Sequence, residues 1–88
     1  MGIQAHIKIK DLEEAGVKIE RFCDVMDDED DPYTFYYVKA VFPTGLEFVF
    51  NSMSEDDTHV WTDFNSWGRN RAILQPSLYQ LKIKFIEA

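Results

Sequence analysis

The chain has 88 residues, 45% of them hydrophobic, with seven Phe, four Tyr and two Trp, and it carries a formal net charge of −7. That length predicts one domain over residues 1–88, and the aromatic content can fill a small core, which excludes disorder of the whole chain. The acidity disfavours general binding to phosphate backbones, and a single cysteine, Cys23, rules out an internal disulfide.

Residues 3–10 alternate strictly, with Ile3, Ala5, Ile7 and Ile9 on one face and Gln4, His6, Lys8 and Lys10 on the other. This pattern predicts a half-buried strand. Residues 11–16 predict a single helical turn, capped by Asp11 and ended by Gly16. A second strand follows, with Val17, Ile19, Cys23 and Val25 inward and Lys18, Glu20 and Asp24 outward. Arg21 and Phe22 break its alternation, which predicts a bulge or a twist.

Residues 33–42 are apolar almost throughout, interrupted by Thr34 and Lys39, so this strand is expected at the centre of a sheet or at an interface. Pro43, Thr44 and Gly45 predict a turn into a strand with Leu46, Phe48 and Phe50 inward, the best-marked hairpin of the chain. Residues 59–74 fit two patterns. Val60, Thr62 and Phe64 suit a strand face, whereas Trp61, Phe64 and Trp67 have helical spacing. Pro76 and Ser77 read as punctuation before a last strand with Tyr79, Leu81, Ile83 and Phe85 on one face. Lys8, Lys10, Lys82 and Lys84 would then guard sheet edges. The expected fold is α+β, mainly β: a small antiparallel sheet or partly open barrel of five to six strands with one or two short helices.

Charge is spread unevenly. Residues 1–10 carry +2, residues 11–31 carry −8, residues 32–68 carry −4 and residues 69–88 carry +3. Six of the eight residues from 24 to 31 are acidic: Asp24, Asp27, Asp28, Glu29, Asp30 and Asp31. A second cluster, Glu55, Asp56 and Asp57, follows the hairpin. Charge runs are commonly solvated loops. Carboxylates packed this densely also repel each other, and a basic partner surface relieves that repulsion. Alternate connections of an antiparallel meander leave at the same end, so the two loops are expected to merge into one negative patch.

Trp61 to Arg71 is the one stretch where aromatics and cations interleave. Trp61 and Trp67 are residue types frequent at protein contacts, which makes them candidates for a partner surface. With Tyr33, Phe35, Arg69 and Arg71 they also fit base stacking in a small barrel, a reading opposed by the net charge.

No catalytic or metal site is expected. Asp27, Glu29 and Asp31 alternate as in the first half of a calcium loop, but the turn glycine and closing Glu are missing. His6, Cys23 and His59 lack ligand spacing. Asn65-Ser66-Trp67-Gly68 is similar to the four residues around the orienting Asn of papain-like cysteine proteases. The surroundings of Cys23 lack that family's motif, and its fold needs a much longer chain. No phosphate-cradling glycine motif occurs, and no cofactor is expected.

A small, acidic, cysteine-poor, aromatic-rich chain without catalytic motifs resembles phage-encoded or mobile-element inhibitors of host machinery, some of them DNA mimics. The likeness is one of profile and covers no motif. The expected function is a non-enzymatic binding protein whose acidic loops engage a basic surface on a partner, a basic or nucleic-acid-handling protein. One alternative is an assembly protein that forms a homo-oligomer through residues 33–42; another is a small barrel that binds single-stranded nucleic acid. The first residues carry no basic, then apolar, leader pattern and no apolar run is long enough for a bilayer, so a cytoplasmic protein without membrane contact is expected.

Overall fold

The computed structural model describes residues 2–26 and 32–88. The strands are β1 (Gln4–Lys8), β2 (Lys18–Met26), β3 (Tyr33–Val41), β4 (Glu47–Ser52), β5 (His59–Asp63) and β6 (Ile86–Glu87). The helices are α1 (Ile9–Glu14), between β1 and β2, and α2 (Arg69–Gln80), between β5 and β6. The fold is α+β and mainly β: a six-stranded open sheet in the order β2-β3-β4-β5-β1-β6, with every pair antiparallel. β2 to β5 form a meander, and β1 then enters beside β5. The β4–β5 contact is pinched to one pair, Asn51 with Trp61.

Period two sets the core face. Ala5 and Ile7 of β1, Val38 and Ala40 of β3, Phe48 and Phe50 of β4, and Val60 of β5 are buried against Leu12, Leu74 and Leu78 of the helices. Ile9 and Leu12 both enter this core, so α1 begins at Ile9 with Lys8 as its N-cap. Asp11 is therefore inside the first turn and caps nothing. The end of α1 follows the expectation. Gly16 adopts φ +85°, its N–H bonds the Glu13 carbonyl, and the Val17 N–H bonds the Leu12 carbonyl, both at 3.0 Å. That is a Schellman stop, which needs a left-handed residue.

The ambiguous stretch resolves into both elements, with β5 followed by the start of α2. The expected C-terminal strand does not form there. Tyr79 and Gln80 end α2, and only Ile86–Glu87 pair with β1. Leu74, Ser77, Leu78 and Leu81 lie at helical spacing, and the first three are buried. Pro76 sits inside the helix and does not break it. Its cost of about 3 kcal/mol is offset by burial of Leu74 and Leu78, each contributing roughly 1.5–3 kcal/mol. Polar contacts fix α2 on the core face: Asn70 Nδ2 donates to Thr62 Oγ1 at 3.1 Å, Arg71 Nε donates to the Phe64 carbonyl at 3.0 Å, and the Ser77 and Thr44 hydroxyls meet at 2.8 Å.

Two further expectations are corrected. The β2–β3 register runs one to one from Lys18↔Val41 to Met26↔Tyr33, so no bulge occurs at Arg21 and Phe22. Lys8 lies on a strand flanked on both sides, Lys10 lies on α1, and Lys82 and Lys84 lie between α2 and β6. None of them guards an edge; the edge strands are β2 and β6.

Candidate functional site

The β2–β3 hairpin outruns the rest of the sheet. β4 pairs with β3 only as far as Tyr36↔Ser52, whereas β2 continues to Met26↔Tyr33. The overrun on β3 is Tyr33, Thr34 and Phe35, about 10 Å of strand at 3.4 Å per residue. Both helices pack elsewhere. α2 is tied to the β3–β4 turn at Thr44, the opposite end of β3.

Residues opposite one another in an antiparallel pair share a face. Register therefore places Phe22 with Tyr37, Asp24 with Phe35, and Met26 with Tyr33 on the face away from the helices. Phe22 stacks on Tyr37 at 5.2 Å between ring centroids, and Tyr33 meets Phe35 edge to face at 4.9 Å. These rings pack on each other and stay in water: Phe22 is 41% exposed, Phe35 43%, Tyr33 47% and Met26 48%. On the helix side, Cys23 and Val25 were expected inward. They do face the core side, but no layer reaches that far, and Val25 is 66% exposed. Phe22, Met26, Tyr33 and Phe35 thus make an apolar arm. The disturbed alternation at Arg21 and Phe22, beside a strand apolar on both faces, was its signal in the sequence.

The acidic candidates separate into different environments. Asp24 is exposed on the ringed face of the arm. Asp27, Asp28, Glu29, Asp30 and Asp31 lie outside the described residues, as do the calcium-loop positions among them. In the β4–β5 connection, two acids organise their own loop: Asp56 Oδ1 accepts from Ser54 Oγ at 2.9 Å, and Asp57 Oδ1 accepts from the His59 N–H at 3.2 Å. The loop bends onto β2, where Arg21 Nη2 donates to the Asp57 carbonyl at 2.6 Å. An open cleft of about 430 Å³ runs between this loop and the arm, lined by Arg21, Cys23, Tyr36 and Glu55. On the other side of the loop, Asp56 and Asp57 share a cleft of about 460 Å³ with Lys8, Lys10 and Arg21. Cations of the same chain thus already accompany the second acidic cluster, and Glu55 is its freest member.

The two tryptophans do not join the arm. Trp61 is half-buried on β5, opposite Asn51 and His6, and Trp67 is 78% exposed in the connection before α2. Arg71 is committed to the fold, with its guanidinium 4.3 Å from the Phe64 ring and 2.6 Å from Glu87. Asn65, the centre of the protease-like tetrapeptide, accepts the Ile3 N–H on Oδ1 at 2.7 Å and so fastens the entry to β1. Among the described residues, no three His, Cys, Asp or Glu side chains converge on a common point, and no helix is long and apolar enough to cross a membrane.

No protein-family model matches the chain, and comparison with curated proteins and with solved structures yields no match.

Proposed function

We propose that this protein is a non-catalytic binding module whose contact surface is the β2–β3 arm and whose partner is a basic protein. The observation that carries this reading is the arm itself: Phe22, Met26, Tyr33 and Phe35 hold apolar surface in water on one face, beyond the reach of both helices. Apolar surface left in water forgoes roughly 25 cal/mol per Å², which a covering partner recovers. The charge selects the partner. Glu20 and Asp24 share the ringed face with Lys18 and Lys39, of which Lys39 lies opposite Glu20 and pairs with Glu47 at 3.8 Å, and residues 11–31 carry −8 in total. Carboxylates around an apolar centre speed encounter with a cationic surface and repel a second acidic molecule. A basic site that normally takes nucleic acid is one surface of this kind, which is where the inhibitor and DNA-mimic readings would fit.

The test is a pull-down from lysate at low and high salt with three forms of the protein. These are the wild type, Phe22→Ser with Phe35→Ser, and a form with Asp27, Asp28, Glu29, Asp30 and Asp31 changed to Asn or Gln. A basic protein retained by the wild type at low salt, and lost from both variants, supports the reading. Retention of that protein by the Ser variant would move the contact off the arm. Self-association of the wild type in sedimentation, with nothing else captured, would favour the homo-oligomer instead.

A further inference from the structure

The two edges of the sheet are finished differently. β6 is two residues long, which leaves little to pair with. β2 is nine residues long, in unbroken register with β3, and contains no proline. Natural sheets blunt their edges with short strands, bulges, prolines or charged side chains, lysine above all. β2 has no bulge and no proline, and its one lysine, Lys18, is its first residue; its other charges, Glu20, Arg21 and Asp24, turn away a like-charged strand and leave the edge open to a complementary one. Among the described residues no backbone hydrogen bond reaches its outer edge, so alternate N–H and C=O groups there face solvent.

We infer that this edge accepts an extended segment of a basic partner as an added antiparallel strand. The inference rests on the binding reading above and names how the partner docks. Backbone pairing supplies the register, and the side chains of β2 supply the choice of sequence. On the ringed face β2 presents Glu20, Phe22 and Asp24 in succession. An added strand places its own residues directly opposite these three. Its complement is cation, apolar, cation at alternate positions, with small apolar residues between them opposite Arg21 and Cys23. A second copy of this chain fits poorly. Two-fold pairing centred on Phe22 sets Glu20 against Asp24, pairing centred on Arg21 sets two guanidinium groups together, and each copy brings a net −7.

The probe is the capped peptide Thr-Lys-Val-Ile-Val-Lys-Thr, titrated into the ¹⁵N-labelled full chain and followed by NMR. Two further peptides are N-methylated on complementary sets of alternate residues, and a fourth carries Glu for both Lys. Only one set of amides faces β2 in an added strand. One methylated peptide should therefore bind like the parent, while the other binds at least about tenfold more weakly. The acidic peptide should also bind more weakly, and Glu20→Lys with Asp24→Lys should reverse the preference between the Lys and Glu peptides. Shifts and slowed exchange should centre on the β2 amides. Equal binding by both methylated peptides, with shifts centred on Phe22 and Phe35, overturns strand addition and leaves the arm reading standing. No response to the parent peptide overturns the inference, and the arm reading is then judged by the Ser variant alone. Protection of β2 amides that grows with protein concentration, without peptide, overturns it in favour of a second copy.

Discussion

The guanidinium of Arg71 lies 2.6 Å from the carboxylate of Glu87, and this ion pair joins α2 to the last strand of the sheet. The same side chain donates from Nε to the Phe64 carbonyl and covers the Phe64 ring at 4.3 Å. One residue thus connects the segment just after β5 with α2 and β6. Since β6 pairs with β1 over only two residues, with one further backbone pair between Gln4 and Ala88, this side chain is a main anchor of the C-terminus.

Arg71→Ala should destabilise the protein by about 2 kcal/mol, because it removes a charge-assisted hydrogen bond and a cation–π contact from a mostly buried site. Glu87→Gln, which keeps a hydrogen-bond acceptor and loses only the partly exposed charge, should cost less than about 1 kcal/mol. Urea denaturation of both variants measures the difference; equal losses would mean that the ion pair, not the contacts to Phe64, carries the anchor.

Lys82 occupies the left-handed position of the α2 stop, with φ +54°. Its N–H bonds the Tyr79 carbonyl at 3.1 Å, and the Ile83 N–H bonds the Leu78 carbonyl at 2.9 Å, the same pattern that Gly16 makes after α1. An L-residue with a Cβ pays about 1 kcal/mol there. Lys82→Gly should therefore raise stability by roughly 0.5–1 kcal/mol, a shift of several degrees in Tm for a domain of this size. A lower Tm would place the weight on contacts of the lysine side chain.

Asp57 holds the β4–β5 loop through the His59 N–H and, more weakly, through the Met53 N–H at 3.4 Å. Asp57→Ala should speed amide exchange across residues 53–59 and cost about 1 kcal/mol, whereas Glu55→Ala should stay within about 0.5 kcal/mol of the wild type. Hydrogen exchange separates them, and faster exchange in both variants would show that the loop depends on its total charge.

Aromatic residues of the arm and of the core should respond differently to truncation. Phe50 is fully buried, and Phe50→Ala should cost about 3–5 kcal/mol. Phe22→Ser leaves no cavity and should cost at most about 1 kcal/mol, mainly from the lost stack on Tyr37. Denaturation midpoints measure both. A large loss at Phe22 would make the arm part of the stability core and argue against the proposal that it is a docking surface.

Most strands were legible because alternation has one solution where one face is buried. Ile7 and Ala5 of β1, or Phe48 and Phe50 of β4, could point inward in only one register. The stop after α1 was legible because Gly16 is the residue that a left-handed turn favours. The stop after α2 was hidden because a lysine fills the same conformation, and because Leu81, Ile83 and Phe85 also satisfy a two-residue period. Pro76 strengthened the misreading, since only packing in the finished core outweighs its cost in a helix. The candidate surface was half legible. Residues 33–42 announced a strand apolar on both faces, but period two cannot say whether neighbours or water lie beyond it.

The sequence by itself determined the antiparallel, mainly β character, the β3–β4 hairpin and the acidity of the chain, because these follow from local periodicity, turn chemistry and charge. Tertiary structure alone decided that β1 sits inside the sheet, that β2 is left as a long free edge, and that Phe22 and Phe35 face water while Phe48 and Phe50 do not. The physical reason is that burial depends on where other elements end. β4 stops pairing at Ser52 and α2 is tied down at Thr44, so the described residues that the hairpin carries beyond them, Met26, Tyr33 and Phe35 among them, are left uncovered.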